Sequence, residues 1–130
     1  MRWRLKTDDA SEAPSESFIA AFVAWADTAD GYVHWVVEDD ARILGAMSVA
    51  LVRKPPAPDE MEGLWGYLTN SYVYPWARDA GVGQALLGHV VEWARTEKFE
   101  LMIVWPSERA YSFYERAGFA SQRDPLVVEF

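Results

Sequence analysis

A short glycine-bearing turn between an apolar strand and an amphipathic helix constrains this chain more than any other feature. The turn reads Arg78-Asp79-Ala80-Gly81-Val82-Gly83, and it follows an aromatic, apolar run that ends at Pro75. A helix-patterned segment from Gln84 to about Glu97 comes directly after it. The first N–H groups of a helix lack intrahelical partners and the helix dipole favours negative charge there, while glycine lets a backbone approach an anion closely. A strand, a turn and a helix in this order are a recurring way to hold a phosphate.

The details of the turn exclude the two most familiar nucleotide motifs. No Lys-Ser or Lys-Thr pair follows the turn, so it is not a P-loop. The segment Gly81–Leu86 also lacks the third glycine of the dinucleotide fingerprint. On glycine spacing alone, an ordinary loop and helix start is the favoured interpretation, so a phosphate site needs a second motif.

A second motif lies in the last predicted helix and reads Ala110-Tyr111-Ser112-Phe113-Tyr114-Glu115-Arg116-Ala117-Gly118-Phe119. Together with Arg-x-x-Gly-x-Gly after a strand ending in Val73-Tyr74-Pro75, it resembles the GNAT superfamily of N-acetyltransferases. In that family the first motif is the acyl-CoA pyrophosphate loop and the second is an Ala-x-x-Phe-Tyr-x-x-x-Gly-Phe helix. The resemblance covers roughly Val33 to Phe119, and the first thirty residues match weakly.

Length and composition set further bounds. The 130 residues suffice for one domain, and we expect a single domain over 1–130. The net charge is −8, with twelve acidic and six basic side chains in residues 1–62, which argues against broad contact with nucleic acid or an anionic membrane. There is no cysteine and there are only two histidines, so we expect no metal site. The nine-residue apolar run Phe18–Ala26 cannot span a bilayer, and we expect a cytoplasmic protein.

Hydrophobic periodicity and breaker residues predict an α/β (α+β) order of elements around one sheet, with a short N-terminal region. The resemblance to the GNAT family implies that this central sheet is mixed, mostly antiparallel and flanked by helices. The predicted strands are Met1–Lys6, Tyr32–Glu38, Ile43–Val52, Trp65–Val73, Leu101–Trp105, Phe119–Ser121 and Leu126–Phe130. The predicted helices are Phe18–Ala26, Gly83–Glu97 and a last helix that starts at Pro106 or Ser107 and ends at Gly118. Ser15 or Ser17 is the expected cap of the first helix.

The resemblance implies a site for acetyl-CoA as co-substrate. The pyrophosphate would lie against the backbone amides of Arg78, Asp79, Ala80, Gly81, Val82, Gly83 and Gln84, with Arg78 as an added charge partner. The long strand would splay from Leu101–Trp105 and leave free backbone groups near Tyr72 and Val73, where pantetheine would lie. The Val73 amide is then the candidate oxyanion donor. An ordinary paired sheet is the alternative.

The resemblance also implies that Tyr114 donates a proton to the leaving thiolate. The alternative is that Tyr114 is a tyrosine of the core with a structural role only. The base is harder to identify, because many family members carry Glu on the long strand and the equivalent here is Tyr67. Glu62 at the start of that strand is the first candidate base, and Glu38 on the predicted hairpin is the second. Most exposed carboxylates, however, only keep a protein soluble. Ser107 is expected to cap the last helix, with a CoA contact as the secondary interpretation.

The acceptor would be a primary amine in a small molecule or peptide. Five aromatic residues could line its pocket, or could pack in the core: Trp35, Trp65, Tyr67, Tyr72 and Trp76. Acidic residues expected around the acceptor entrance predict a cationic amine: Glu38, Asp39, Asp40, Asp59, Glu60 and Glu62. The alternative is that these carboxylates only keep the protein soluble. A homodimer is considered. The alternatives are a non-catalytic acyl-CoA-binding module and an aminoacyl-tRNA-acetylating toxin, whose basic RNA-binding face this composition does not supply.

Overall fold

One four-stranded sheet organises the protein. The computed structural model describes residues 1–7, 13–59, 62–121 and 126–130. The helices within these residues are α1 (Arg2–Thr7), α2 (Glu16–Thr28), α3 (Val82–Thr96) and α4 (Tyr111–Glu115). The strands are β1 (Tyr32–Asp39), β2 (Arg42–Arg53), β3 (Leu64–Val73) and β4 (Leu101–Val104), and single 3₁₀ turns span Pro75–Ala77 and Glu108–Ala110.

The strands follow one another across the sheet in the order β1-β2-β3-β4. Strands β1, β2 and β3 are antiparallel neighbours, and the β1–β2 turn is the predicted Asp39–Arg42. Strand β4 is parallel to β3, and α3 makes the crossover that a parallel pair requires. The predicted mixed, mostly antiparallel sheet with flanking helices is therefore confirmed.

The core lies between α3 and one face of the sheet. Met47, Val49 and Leu68 point to this face from β2 and β3, and Leu87 and Val90 meet them from α3. All five side chains are essentially inaccessible to water. Leu86 and Ala94 complete the buried stripe of α3, as its 3.6-residue period predicts.

Strand β3 carries a bulge just before its end. The register moves from Ser48 opposite Thr69 to Ala46 opposite Tyr72, so β3 has one more residue than β2 in this interval. Asn70 occupies the bulge with φ of +52°, a left-handed conformation that asparagine tolerates better than most residues. The extra residue re-aims the side chains that follow, including Ser71.

The N-terminal prediction is wrong, because Met1–Lys6 is not a strand. Residues Arg2–Thr7 form α1, and the Arg2 guanidinium donates a hydrogen bond of 2.7 Å to Asn70 Oδ1. Six residues are too few for hydrophobic alternation to separate a period of 2 from one of 3.6. The cap of the next helix is predicted correctly, since Ser15 Oγ accepts from the Phe18 amide.

The predicted closing strands are also not present among the described residues. Phe119 donates its N–H to the Tyr114 carbonyl, so it closes the turn after α4, with Gly118 at φ of +94°, and does not start a ladder. Residues 126–130 are exposed and unpaired, and residues 122–125 lie outside the described part of the chain. An apolar run forms a strand only where a partner strand is available, and hydrophobicity does not encode that partner.

Candidate functional site

Strand β3 extends beyond the end of β4. Parallel pairing covers four residue pairs, from Trp65 with Leu101 to Leu68 with Val104, and then stops. Strand β3 continues for five more residues, Thr69–Val73, that pair only with β2 within the described chain. Strand β4 itself ends at Val104, so Thr69–Val73 present the unpaired backbone edge that was expected, while the splay of the two strands stays a prediction. We call the space along this edge, beyond the end of β4, the wedge.

The backbone of Val73 faces the wedge. The next residue, Tyr74, donates its N–H to the Leu44 carbonyl on β2 at 2.9 Å. Because the N–H groups of successive strand residues point in opposite directions, the Val73 N–H points away from β2. A donor fixed in a sheet and pointing into an opening is suited to hold a carbonyl oxygen.

Arg78 fastens the glycine turn to this strand end. Its Nε donates a hydrogen bond of 3.0 Å to the Val73 carbonyl, and its guanidinium carbon lies 5.7 Å from the centre of the Tyr72 ring. Tyr72 is itself buried. Arg78 therefore holds the turn beside the wedge, and its terminal N–H groups remain to face an anion.

The turn has the geometry of an open helix N-terminus. Gly81 sits before α3 with φ of +76°, and no atom lies within 4 Å of where its Cβ would be. The first helical hydrogen bond runs from Ala85 N–H to the Gly81 carbonyl, so the N–H groups of Val82, Gly83 and Gln84 precede the helical ladder. No side chain caps this end. The arrangement can accept a phosphate through backbone donors and the helix dipole.

Gly83 is required for a different reason. A Cβ at this position would lie 3.3 Å from Phe113 Cε2 and 3.4 Å from Val73 Cγ2. The glycine therefore lets the start of α3 approach both β3 and α4 closely. This close packing brings the turn, the wedge and the Phe113-Tyr114 helix together.

Tyr114 is buried, with 7% of its surface exposed, and its side chain forms a hydrogen bond with that of Ser71. Burial raises the pKa of the phenol above its ordinary value, and the bond to Ser71 offsets part of this increase. Tyr114 thus keeps its proton near neutral pH. Edge-on contacts to Phe113 and Phe119, with ring centres 5.0 and 5.6 Å away, fix its ring.

Ser71 is the site residue that sequence reasoning missed. It lies in the stretch of β3 that borders the wedge, directly after the bulge residue Asn70. Simple alternation along β3 misplaces every side chain after the bulge. An asparagine in the middle of a strand-patterned run was the one sequence signal for it, because asparagine is rare in strands and tolerates left-handed backbone.

Glu62 lies far from the wedge, and Ser107 occupies an N-cap position without making the expected capping bond. Glu62 is exposed before β3 begins and lies nine positions before Ser71, about 30 Å along an extended chain at the usual rise. Ser107 is also exposed and makes no side-chain cap; its carbonyl accepts from the Ala110 N–H instead. The expected capping bond is therefore wrong, because the last helix opens as a 3₁₀ turn that its backbone closes.

The five aromatic candidates separate across the molecule. Trp35 packs against Trp93 beneath the sheet, and Trp65 donates to Glu100 at the far end of β3. Tyr67 contacts Trp105 on the opposite sheet face from the core. Tyr72 is buried beside Arg78, and Trp76, which is 54% exposed, lines a cavity.

That cavity has a volume of about 690 Å³ and lies beside the end of β3. Its walls come from α1, α2, the β1–β2 hairpin and the segment after β3. The apolar part of the lining consists mainly of Phe18, Phe22, Val36, Ile43, Tyr74 and Trp76. We call it the aromatic cavity.

The acidic residues expected around one entrance are divided between the two ends of the sheet. Asp59 and Glu62 precede β3, whereas Glu38, Asp39 and Asp40 lie at the β1–β2 turn. Asp39 accepts from the Ala41 and Arg42 N–H groups and pairs with the Arg42 side chain, which together lower its pKa. Glu60 lies outside the described residues. The basis for expecting a cationic acceptor is thereby weakened.

Two features are absent from the described residues. No helix there is long and apolar enough to cross a membrane. No group of three or more His, Asp and Glu side chains in those same ranges is arranged to hold a metal ion.

Comparison with known proteins places this geometry in context. The family model for the acetyltransferase (GNAT) family matches residues 1–119. No curated protein matches the chain.

Solved structures share its fold. A predicted acetyltransferase from Clostridium acetobutylicum, crystallised with acetyl-CoA, superposes with a TM-score of 0.73 at 22% identity, over 98% of this chain and 84% of that one. An acetyltransferase from Trypanosoma brucei gives 0.70 at 25% identity, over 91% and 82%. Glucosamine-6-phosphate N-acetyltransferase from Arabidopsis thaliana gives 0.67 at 18% identity, over 94% and 82%.

Proposed function

The chain belongs to the GNAT acetyltransferase family, and we propose that it moves the acetyl group of acetyl-CoA to a primary amine by direct transfer in a ternary complex. The observation that carries this proposal is the convergence of three groups at the wedge. They are the Val73 N–H, the Tyr114 hydroxyl and the uncapped start of α3. A thioester held there would meet an oxyanion donor and a proton donor together.

The pyrophosphate of acetyl-CoA binds at the turn in this proposal. Backbone N–H groups of Val82, Gly83 and Gln84 supply the donors, and Arg78 supplies positive charge. The pantetheine chain occupies the wedge beside Thr69–Val73. The protein's main contribution is to position two reactants, because the thioester is already activated.

The chemical step is then an acyl transfer. The free amine nitrogen attacks the thioester carbon, and the Val73 N–H stabilises the oxyanion that forms. The C–S bond breaks as the C–N bond is completed, and Tyr114 gives its proton to the sulfur. The amine loses its own proton to water, and the phenol is reprotonated from solvent.

Glu62 has no place in this mechanism, because it lies at the wrong end of β3. Neither the free stretch of β3, Thr69–Val73, nor the Phe113-Tyr114 pair includes a carboxylate or an imidazole. The acceptor must therefore enter as the free base, and kcat/KM should rise with pH until the amine is deprotonated.

The same observation supports a second candidate function, a module that binds acyl-CoA without turnover. Two measurements separate the candidates. Acetyl-CoA at a hundred times its Kd should stabilise the fold by about 2.7 kcal/mol, and NAD or ATP should stabilise it far less. Release of CoA thiol in the presence of an amine panel, above hydrolysis without amine, establishes the enzyme. Binding without release against every amine would favour the module, and equal stabilisation by all three nucleotides would contradict both.

A further inference from the structure

Within the described residues, the charged side chains that line the aromatic cavity are basic. Of its described lining residues, Arg2 and Arg42 carry charged side chains and none is acidic. The remaining wall is largely apolar and aromatic. Its volume of about 690 Å³ falls within the usual range for sites that take small organic ligands.

Arg2 connects this cavity to the wedge. One terminal nitrogen of its guanidinium donates to Asn70 Oδ1 at 2.7 Å, and Asn70 directly precedes Ser71, the hydrogen-bond partner of Tyr114. A guanidinium has five N–H donors, so this single bond leaves most of them available. Arg2 forms no ion pair with any carboxylate in the described ranges.

Arg42 marks the other side of the cavity. Its guanidinium lies 4.4 Å from the centre of the Trp76 ring and is paired with Asp39. Because that pairing neutralises much of its charge, Arg42 serves mainly to hold the Trp76 ring against the hairpin. Among the described lining residues, Arg2, next to the bulge, is therefore the side chain whose charge is least neutralised.

We propose that the aromatic cavity binds the acceptor of this enzyme and that the acceptor is a small amine bearing a carboxylate beside its amino group and an apolar, flat body. The inference rests on the proposed function, since it assigns that site's substrate class. Arg2 holds the carboxylate through paired N–H donors. The amino group, one carbon away, then lies near Asn70 and Ser71, where it faces the thioester.

The Arg2 side and the aromatic wall of the cavity together favour a ligand that has both a carboxylate and an apolar, flat body. A polyamine would place positive charge against Arg2 and leave the aromatic wall in contact with water. A small polar acid would satisfy Arg2 but leave the apolar wall unfilled. An α-amino acid with an aromatic side chain satisfies both, because its body can stack on Tyr74 and Trp76.

Calorimetry with three probes tests the binding claim in the full chain saturated with CoA. L-Phenylalanine has the carboxylate and the ring, L-phenylalaninamide lacks only the carboxylate charge, and spermidine has neither. We expect L-phenylalanine to bind roughly ten- to a hundred-fold more tightly than its amide, in keeping with a charged hydrogen-bonded pair. Spermidine should bind more weakly still.

Two variants locate the effect. Arg2→Gln keeps a donor for Asn70 but removes the charge, and it should abolish the preference for the acid over the amide. Arg53→Gln removes the same charge from the far end of β2 and should leave the preference intact. Equal affinity for acid and amide in the wild type, no binding of L-phenylalanine at millimolar concentration, or an equal loss for both ligands in Arg2→Gln would each overturn the proposal.

Thiol release separates this inference from the proposed function. If L-phenylalanine binds with the expected pattern but no amine is acetylated, the cavity assignment stands and the enzymatic function falls. If other amines are acetylated while L-phenylalanine neither binds nor reacts, the function stands and the substrate class is wrong.

Discussion

Replacing Tyr114 by phenylalanine removes one hydroxyl and keeps the ring that packs against Phe113 and Phe119. The lost interaction is the side-chain bond to Ser71, which costs about 1 kcal/mol of unfolding free energy. The half-buried Ser71 can turn to water, so no unpaired polar group remains. For a chain of 130 residues this loss lowers Tm by about 4 °C. The variant stays folded.

The effect on the reaction should be much larger than the effect on stability. If Tyr114 protonates the leaving thiolate, kcat should fall roughly ten- to a thousand-fold, while the affinity for acetyl-CoA changes little. The assay is CoA thiol release under single-turnover conditions, with acetyl-CoA affinity measured by calorimetry. Ser71→Ala is the matched control, because it breaks the same hydrogen bond but keeps the phenol, and it should retain more activity than Tyr114→Phe.

The pH dependence of stability gives an independent test. Because the folded-state pKa of Tyr114 is raised above its unfolded value, its contribution to stability is fully present below about pH 10. It is lost as pH rises through the folded-state pKa. The free energy of unfolding, measured by chemical denaturation, should therefore fall more steeply with pH above pH 10 in the wild type than in Tyr114→Phe. An unchanged single-turnover rate in the variant would refute the catalytic role and leave Tyr114 as a packing residue.

Three further predictions concern the turn and the core. Gly81→Ala should cost about 1 kcal/mol, because φ of +76° is strained for alanine, and calorimetry should show weaker acetyl-CoA binding. Gly83→Val should cost about 1–3 kcal/mol by overpacking against Phe113 and should abolish the acetyl-CoA thermal shift. Its control is Gly88→Ala on the exposed side of α3, where a Cβ meets nothing within 4 Å. This control should stabilise the fold by about 1 kcal/mol in urea denaturation and leave acetyl-CoA binding intact. Met47→Ala should cost about 2–5 kcal/mol in the same denaturation measurement, since its side chain is fully buried, and a loss below 1 kcal/mol would contradict the core assignment.

The parts of the fold that the sequence predicts well are those with local signals. The β1–β2 hairpin has two apolar runs around an Asp-Asp turn, and α3 has a clear apolar stripe, so both are found within one or two residues of the expected limits. The turn at Gly81 follows from glycine placement next to a helix start. In each case the deciding residues lie within one element or its immediate neighbour.

The parts that fail depend on contacts between distant residues. Residues 2–7 form a helix whose Arg2 side chain makes a hydrogen bond to Asn70, 68 positions away, and no local pattern reveals this contact. The reach of Tyr114 to Ser71 depends on a bulge that changes the register by one residue. The distance of Glu62 from the wedge, by contrast, is already implied by the predicted strand Trp65–Val73, which the structure extends by one residue to Leu64. Sequence reasoning therefore indicates the cofactor side of the site better than the acceptor side.

The order of the strands bears on how the protein opens. Strands β1 to β3 form a continuous meander whose contacts are close in sequence, whereas β4 joins by only four parallel pairs after the α3 crossover. The short β3–β4 junction is therefore the expected boundary between two cooperative units in native-state hydrogen exchange. Amides around Leu101–Val104 should exchange through local opening at lower free energy than those of β2. A ligand lying in the wedge would contact both units, so its binding should slow exchange at β4 more than anywhere in the hairpin.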